Sequence, residues 1–190
     1  ELKAQEEVEN LEIGGRNLIR NGDFSKGLTN WGNQGYSLSV VDGVLIAKNV
    51  SGTGIRFYYD IIQMPVGETY TISFEAKADK NNSEIFLGQG TGSSNIGTIS
   101  LTTVWKRYNI TFQSVNDYTI SFNLSEPDVD YYFTNIKLEK GNKATDWTPA
   151  PEDVQAEINN AKQEALSAAG NAQNTANSLK NFTDTAFRDG

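Results

Sequence analysis

Side chains able to do chemistry are few in kind here. The 190 residues contain no His and no Cys, which removes the commonest general base, the thiolate nucleophile and the usual zinc ligands. Carboxylates remain: 24 Asp and Glu stand against 16 Lys and Arg, a net charge of −8. A glycosidase would need two of them about 5 to 10 Å apart across a cleft, and Asp60, Glu75 and Glu84 qualify by residue type. The central part of the chain, residues 14–150, holds 13 acids, so chance pairs are expected. No Gly-rich phosphate loop, metal-ligand cluster or nucleotide signature accompanies them. The sequence is therefore read as that of a non-catalytic protein.

Strand alternation points to a different chemistry. In Ile55-Arg56-Phe57-Tyr58-Tyr59-Asp60-Ile61, Phe57, Tyr59 and Ile61 share one face and Arg56, Tyr58 and Asp60 the other. An aromatic ring among charged and hydrogen-bonding groups suits a saccharide, whose C–H face stacks on the ring. Thr119, Ser121 and Asn123 likewise alternate with Tyr118, Ile120 and Phe122. Phe86 and Gln89, with Gln34 and Tyr36 in the loop after Trp31, are assigned to the same groove. A plain solvated β face would show the same pattern, and both readings stand at this point.

The elements that must position these residues divide the chain in three. Residues 1–13 carry five Glu against one Lys and no Gly or Pro. Ala4, Val8 and Leu11 recur there at helical spacing before Gly14-Gly15, which predicts a short N-terminal helix, the end of an upstream coiled coil. Residues 14–148 are rich in Gly, Asn, Ser, Thr and β-branched or aromatic residues. Strands are expected at 18–19, 36–41, 44–48, 55–61, 70–76, 84–89, 97–101, 105–113, 118–124 and 132–139, with turn signals such as Asp42-Gly43 between them. So many short strands without helical stretches argue for an all-β, antiparallel β-sandwich of jelly-roll type. Residues 149–190 form a Pro linker and an Ala-rich helix. Val154, Ile158, Ala161, Ala165, Ala168, Ala172, Thr175, Leu179, Phe182 and Ala186 are spaced four and three apart, the a/d pattern of a coiled coil. A helix lying back on the sandwich is the other arrangement, but no apolar stripe wide enough for it is present.

The acidity belongs mainly to the helices: residues 14–150 hold 12 basic and 13 acidic residues. Such a chain is a poor match for a nucleic-acid phosphate backbone. No apolar run approaches the length of a membrane span, so membrane insertion is not expected. Glu1-Leu2-Lys3-Ala4 lacks the layout of a signal peptide, and the sequence reads as a soluble piece of a longer chain.

Asn17-Leu18-Ile19-Arg20-Asn21-Gly22-Asp23-Phe24-Ser25-Lys26-Gly27, followed by Trp31, resembles the opening of jelly-roll carbohydrate-binding modules attached to xylanases. Residues 102–112, with Trp105, resemble that family's strand reached through a Trp, and residues 133–139 its closing strand. The resemblance implies that Tyr58 is the stacking platform and that Ser121 and Asn123 bond hydroxyls. It also implies that Trp31 and Trp105 are core residues, while Trp147 pins the exit linker. A structural calcium near Asp23 is implied as well, although Ser25 and Asn135 stand where the family has acids. Residues 138–153, running into the Ala-rich helix, resemble minor structural proteins of phage tails with Gram-positive hosts. That resemblance implies a virion tail-tip or baseplate location and a homotrimer on a coiled coil beside other tail proteins. The ligand would be a cell-surface or cell-wall polysaccharide. A spacer or protein-docking module without a saccharide is the alternative.

Overall fold

The computed structural model describes residues 15–49, 56–60, 63–90 and 94–188; the helix expected over residues 1–13 lies outside them. The chain divides into two compact units, one ending at Pro151 and one beginning at Glu152.

The first unit holds β1 (Trp31–Gln34), β2 (Tyr36–Val41), β3 (Val44–Asn49), β4 (Arg56–Asp60), β5 (Thr69–Ala78), β6 (Ser83–Gln89), β7 (Ser94–Leu101), β8 (Lys106–Gln113), β9 (Thr119–Leu124) and β10 (Asp130–Lys140). They form two five-stranded sheets, ordered β1-β4-β9-β6-β7 and β2-β3-β10-β5-β8, and every pairing is antiparallel. The expected β-sandwich is what the chain forms. Its strands lie close to the expected runs, with two differences. Leu18 and Ile19 are loop, tied down by the Leu18 amide donating to the Leu138 carbonyl at 2.8 Å. Trp31–Gln34, expected as a loop, is a strand because β4 supplies its pairing partner, a long-range effect that overrides weak local propensity.

The core lies between the sheets, where period-two alternation delivers one apolar face from each. Phe57 and Phe122 stack at 4.7 Å with an interplanar angle of 2°. Phe133 meets Phe57 edge-on at 4.9 Å, and Phe74 meets Phe122 at 5.2 Å. Each such pair adds about 0.5–1.5 kcal/mol beyond its area. Trp31, against Phe24 and Tyr59 at 5.2 and 5.3 Å, closes one end of the cluster, and its Nε1 donates to the Asn21 carbonyl at 3.1 Å. The core role implied for Trp31 is the one it has.

The opening motif works differently from a simple glycine turn. Positive φ falls on Asn21 and Phe24, at 53° and 54°, while Gly22 is needed for space: a Cβ there would stand 2.1 Å from the Ile136 carbonyl oxygen. The Ile136 amide donates to the Gly22 carbonyl at 2.9 Å, which sews the motif to the bulge in β10 between Thr134 and Lys137.

The described residues of the second unit, with Pro151 before them, form one helix, α1 (Pro151–Arg188), of 38 residues and about 57 Å long at 1.5 Å per residue. Pro151 suits the first turn, where its missing N–H costs nothing, and Glu152 and Asp153 complement the dipole. No helix among the described residues is long and apolar enough to cross a membrane.

Candidate functional site

The outer face of the first sheet gathers most of the expected site residues. Cross-strand register puts Gln34, Arg56, Asn123, Phe86 and Thr98 in one row. Gly32, Tyr58, Ser121 and Gly88 form the next row, and Asp60 faces Thr119 beyond it. Because all sit at equivalent positions of the pleat, their side chains leave the same side of the sheet.

Within that face each long side chain has a seat. The Tyr58 ring lies over Gly32, where a Cβ would come within 2.6 Å of two ring atoms; any side chain at that position would lift the ring. The Arg56 guanidinium stands 5.2 Å from the Tyr58 ring centroid, a cation–π geometry, while its Nη1 donates to the Gly90 carbonyl at 3.2 Å. Asp60 Oδ1 accepts the Thr119 hydroxyl at 2.9 Å. Arg56 and Tyr58 are half-buried and Asp60 is exposed, so this strand presents a platform with polar groups at both ends. Phe86, half-buried on β6, faces it across β9.

Four placements correct the sequence reading. Ser121 and Asn123 lie on the expected face but are shielded, at 0% and 6% exposure. Asn123 Nδ2 donates to Ser121 Oγ at 3.1 Å and to the Phe86 carbonyl at 3.2 Å, so the pair forms a floor beneath longer side chains and does not offer hydroxyl-binding groups to solvent. Gln89 points the other way. Its side chain is buried, donates to Ser114 Oγ at 2.8 Å and to the Asn116 carbonyl, and accepts the Val115 amide at 2.8 Å. Residues 86 and 89 differ by an odd number and cannot share a strand face, a signal available in the sequence. Tyr36 opens β2, opposite Asn49 in the second sheet, because the chain changes sheets after Gln34.

Trp105 also departs from the core role implied for it: it is 39% exposed. It precedes Lys106, which pairs with Ala76, and shares the outward parity of Arg107 and Asn109. The sequence reading missed Gly32 as part of the first face; the Gly directly after Trp31 was the available signal.

The residues around Asp23 do not make a calcium cage. Asp23 Oδ1 accepts the Ser25 amide at 3.2 Å and the Ser25 hydroxyl at 2.9 Å. Asn135, in the closing strand, turns its Nδ2 to Glu75 Oε2 at 2.9 Å. Among the described residues no three His, Cys, Asp or Glu cluster, so a Ca²⁺ here would draw most of its six to eight oxygens from carbonyls and water.

A buried polar network was not anticipated. Lys137 and Glu139, on the outward side of β10, are each 1% exposed because residues 141–150 fold over them. Lys137 Nζ donates to Thr145 Oγ1, the Asp146 carbonyl and Thr148 Oγ1 at 2.8 to 3.0 Å, with Glu139 Oε2 4.0 Å away. Glu139 accepts the Thr145 amide and hydroxyl at 3.1 and 2.7 Å. Burial lowers the Lys137 pKa, and the Glu139 carboxylate partly opposes this.

Residues 16–133 match the family model described as a carbohydrate binding domain. The chain belongs to that carbohydrate-binding family. Among solved structures, the module is similar to a CBM4 structure at 24% identity and TM-score 0.53, covering 65% of this chain and 99% of that one. It is similar also to the second N-terminal cellulose-binding domain of Cellulomonas fimi β-1,4-glucanase C, at 20% identity and TM-score 0.54, covering 67% and 96%. A family 29 carbohydrate-binding module complexed with cellulohexaose aligns at 15% identity and TM-score 0.51, covering 65% and 88%. These likenesses establish the shared sandwich fold. A search of the curated proteins returns no match.

Proposed function

We propose that the module binds a polysaccharide on the outer face of its first sheet, with Tyr58 stacking on a sugar ring and Arg56, Asp60 and Gln34 supplying hydrogen bonds. The observation that carries this reading is the Tyr58 ring seated over Gly32 between a guanidinium and a carboxylate, in a chain of carbohydrate-binding family. In this reading the module holds a glycan and does not act on it. The solved relative with cellulohexaose makes a linear chain of pyranose rings a reasonable ligand shape.

The setting proposed is a phage tail tip or baseplate engaging host cell-wall polysaccharide. Copies of α1 would associate as a trimeric coiled coil and multiply a weak site by avidity. Support comes from the sequence pattern after Leu138 and from the seam of α1, where Val154, Ile158, Leu179 and Phe182 are 39%, 43%, 63% and 74% exposed. The shielding of Ser121 and Asn123 favours a second reading, in which the sandwich is a spacer with no saccharide. A glycan array and a cell-wall pull-down separate the two. The wild-type chain is expected to bind and Tyr58→Ala to lose about tenfold or more in affinity; no binding by wild type would favour the spacer.

A further inference from the structure

The outer face of the second sheet carries a feature that the first-sheet site does not use. Register places Lys77 opposite Tyr132, Tyr132 opposite Ile46 and Ile46 opposite Ser39, and Trp105 stands beside Lys77 just before β8. The Lys77 ammonium lies 5.5 Å from the Trp105 ring centroid and 4.9 Å from that of Tyr132. Two aromatic faces thus hold one cation at the surface. Trp105 is 39% exposed and Tyr132 half-buried; a large indole left in water on a sheet face is a surface with stacking capacity still unspent.

The charges around it leave that cation available. Nearby Asp130 pairs with Lys48 at 3.6 Å, and Glu75 Oε2 accepts the Asn135 amide at 2.9 Å. Arg107 donates to Ser73 Oγ at 2.8 Å and to the Asn135 carbonyl at 3.2 Å. Among the described residues no carboxylate pairs with Lys77. An ammonium held by π faces is partly desolvated without being neutralised, so a carboxylate reaching it makes a charge-assisted hydrogen bond.

We propose that this face is a second binding site, specific for a pyranoside bearing a carboxylate. The sugar's C–H face stacks on Trp105, its carboxylate accepts a hydrogen bond from Lys77 Nζ, and Tyr132 borders the far side. Strands are about 4.8 Å apart, so Trp105 and Tyr132, two strands from each other, span a footprint wider than one strand. The proposal shares with the preceding one only its class of ligand. The sites lie on opposite sheets.

The test is affinity electrophoresis of the full 190-residue chain in gels containing polygalacturonate or its fully methyl-esterified form. Wild type is expected to be retarded by the acidic polymer and about tenfold less by the ester. Trp105→Ala and Lys77→Gln each lose about tenfold in affinity for the acidic polymer, Lys77→Arg retains it, and Tyr58→Ala is unchanged. Should Trp105→Ala melt early, Lys77→Gln with its Arg rescue decides the matter. Equal retardation by acid and ester, no retardation of wild type by the acid, or loss of acid binding in Tyr58→Ala would each overturn the proposal. The last result would leave the first-sheet reading standing, and so would retardation by neutral glycans alone.

Discussion

Tyr58 and Tyr131 show how one residue type serves two ends according to burial. Tyr58 lies half-buried over a glycine with Arg56 against its ring. Tyr131 is fully buried, and burial pushes its pKa up to about 12 from 10.0. Between those values the native chain keeps a proton that the unfolded chain has lost, so this residue makes stability fall as pH rises from about 10; below 10 both states are protonated and its effect is constant. Unfolding of wild type and Tyr131→Phe in urea from pH 9 to 12 checks this. The stability difference is expected to move by about 2 to 3 kcal/mol against wild type across that window, and parallel curves would contradict it. Much of the site was legible at residue scale because alternation is local: Arg56, Tyr58 and Asp60 follow from one heptapeptide. Gln89 failed by parity. Ser121 and Asn123 failed because shielding by side chains on the flanking strands β4 and β6 has no local trace.

At the scale of elements, the exit segment is bonded both to the leading segment and to the closing strand of the sandwich. Asn17 Nδ2 donates to the Ile136 and Thr148 carbonyls at 3.2 and 3.0 Å, and its Oδ1 accepts the Ile19 and Leu138 amides. The leading segment, the closing strand and residues 141–150 therefore meet at one amide, next to the Lys137–Glu139 network. Removing one partner of a buried charged network costs about 3 to 5 kcal/mol, and replacing both with apolar groups costs less. Lys137→Ala is expected to lower the thermal midpoint by many degrees, and Lys137→Met with Glu139→Leu to recover part of the loss. A single variant melting with wild type would show the network to be idle. The strands of β10 and β5 were readable from their alternation, but β10's polar outward residues read as solvated. Only the fold-back of the segment that follows β10, which has no sheet pairing of its own to betray it, buries them. β1 was missed for a related reason, since its pairing partner lies 26 residues on, at Tyr58 opposite Gly32.

For the whole molecule, the division of labour follows the charge: a nearly neutral sandwich and an acidic helix. α1 has 38 residues, and its seam side chains, Leu179 and Phe182 among them, are mostly in water. A seam so rich in alanine buries little area per copy, so association is expected to be concentration-dependent. Sedimentation equilibrium from micromolar to millimolar chain is expected to show self-association, and Leu179→Asp with Phe182→Asp to give monomer. A wild-type monomer throughout would contradict the coiled-coil axis. The heptad pattern was plain in the sequence because period is local, whereas the number of helices that associate is set by packing between chains.

The proposed function turns on where the glycan sits. Amide NMR of the labelled chain, titrated with the soluble uncharged oligosaccharide that gives the strongest array signal, tests it directly. Shifts are predicted to cluster on β4, β9 and β6 around Tyr58 and to vanish in Tyr58→Ala. Shifts confined to the second sheet or to α1, or none at saturating oligosaccharide, would contradict the account.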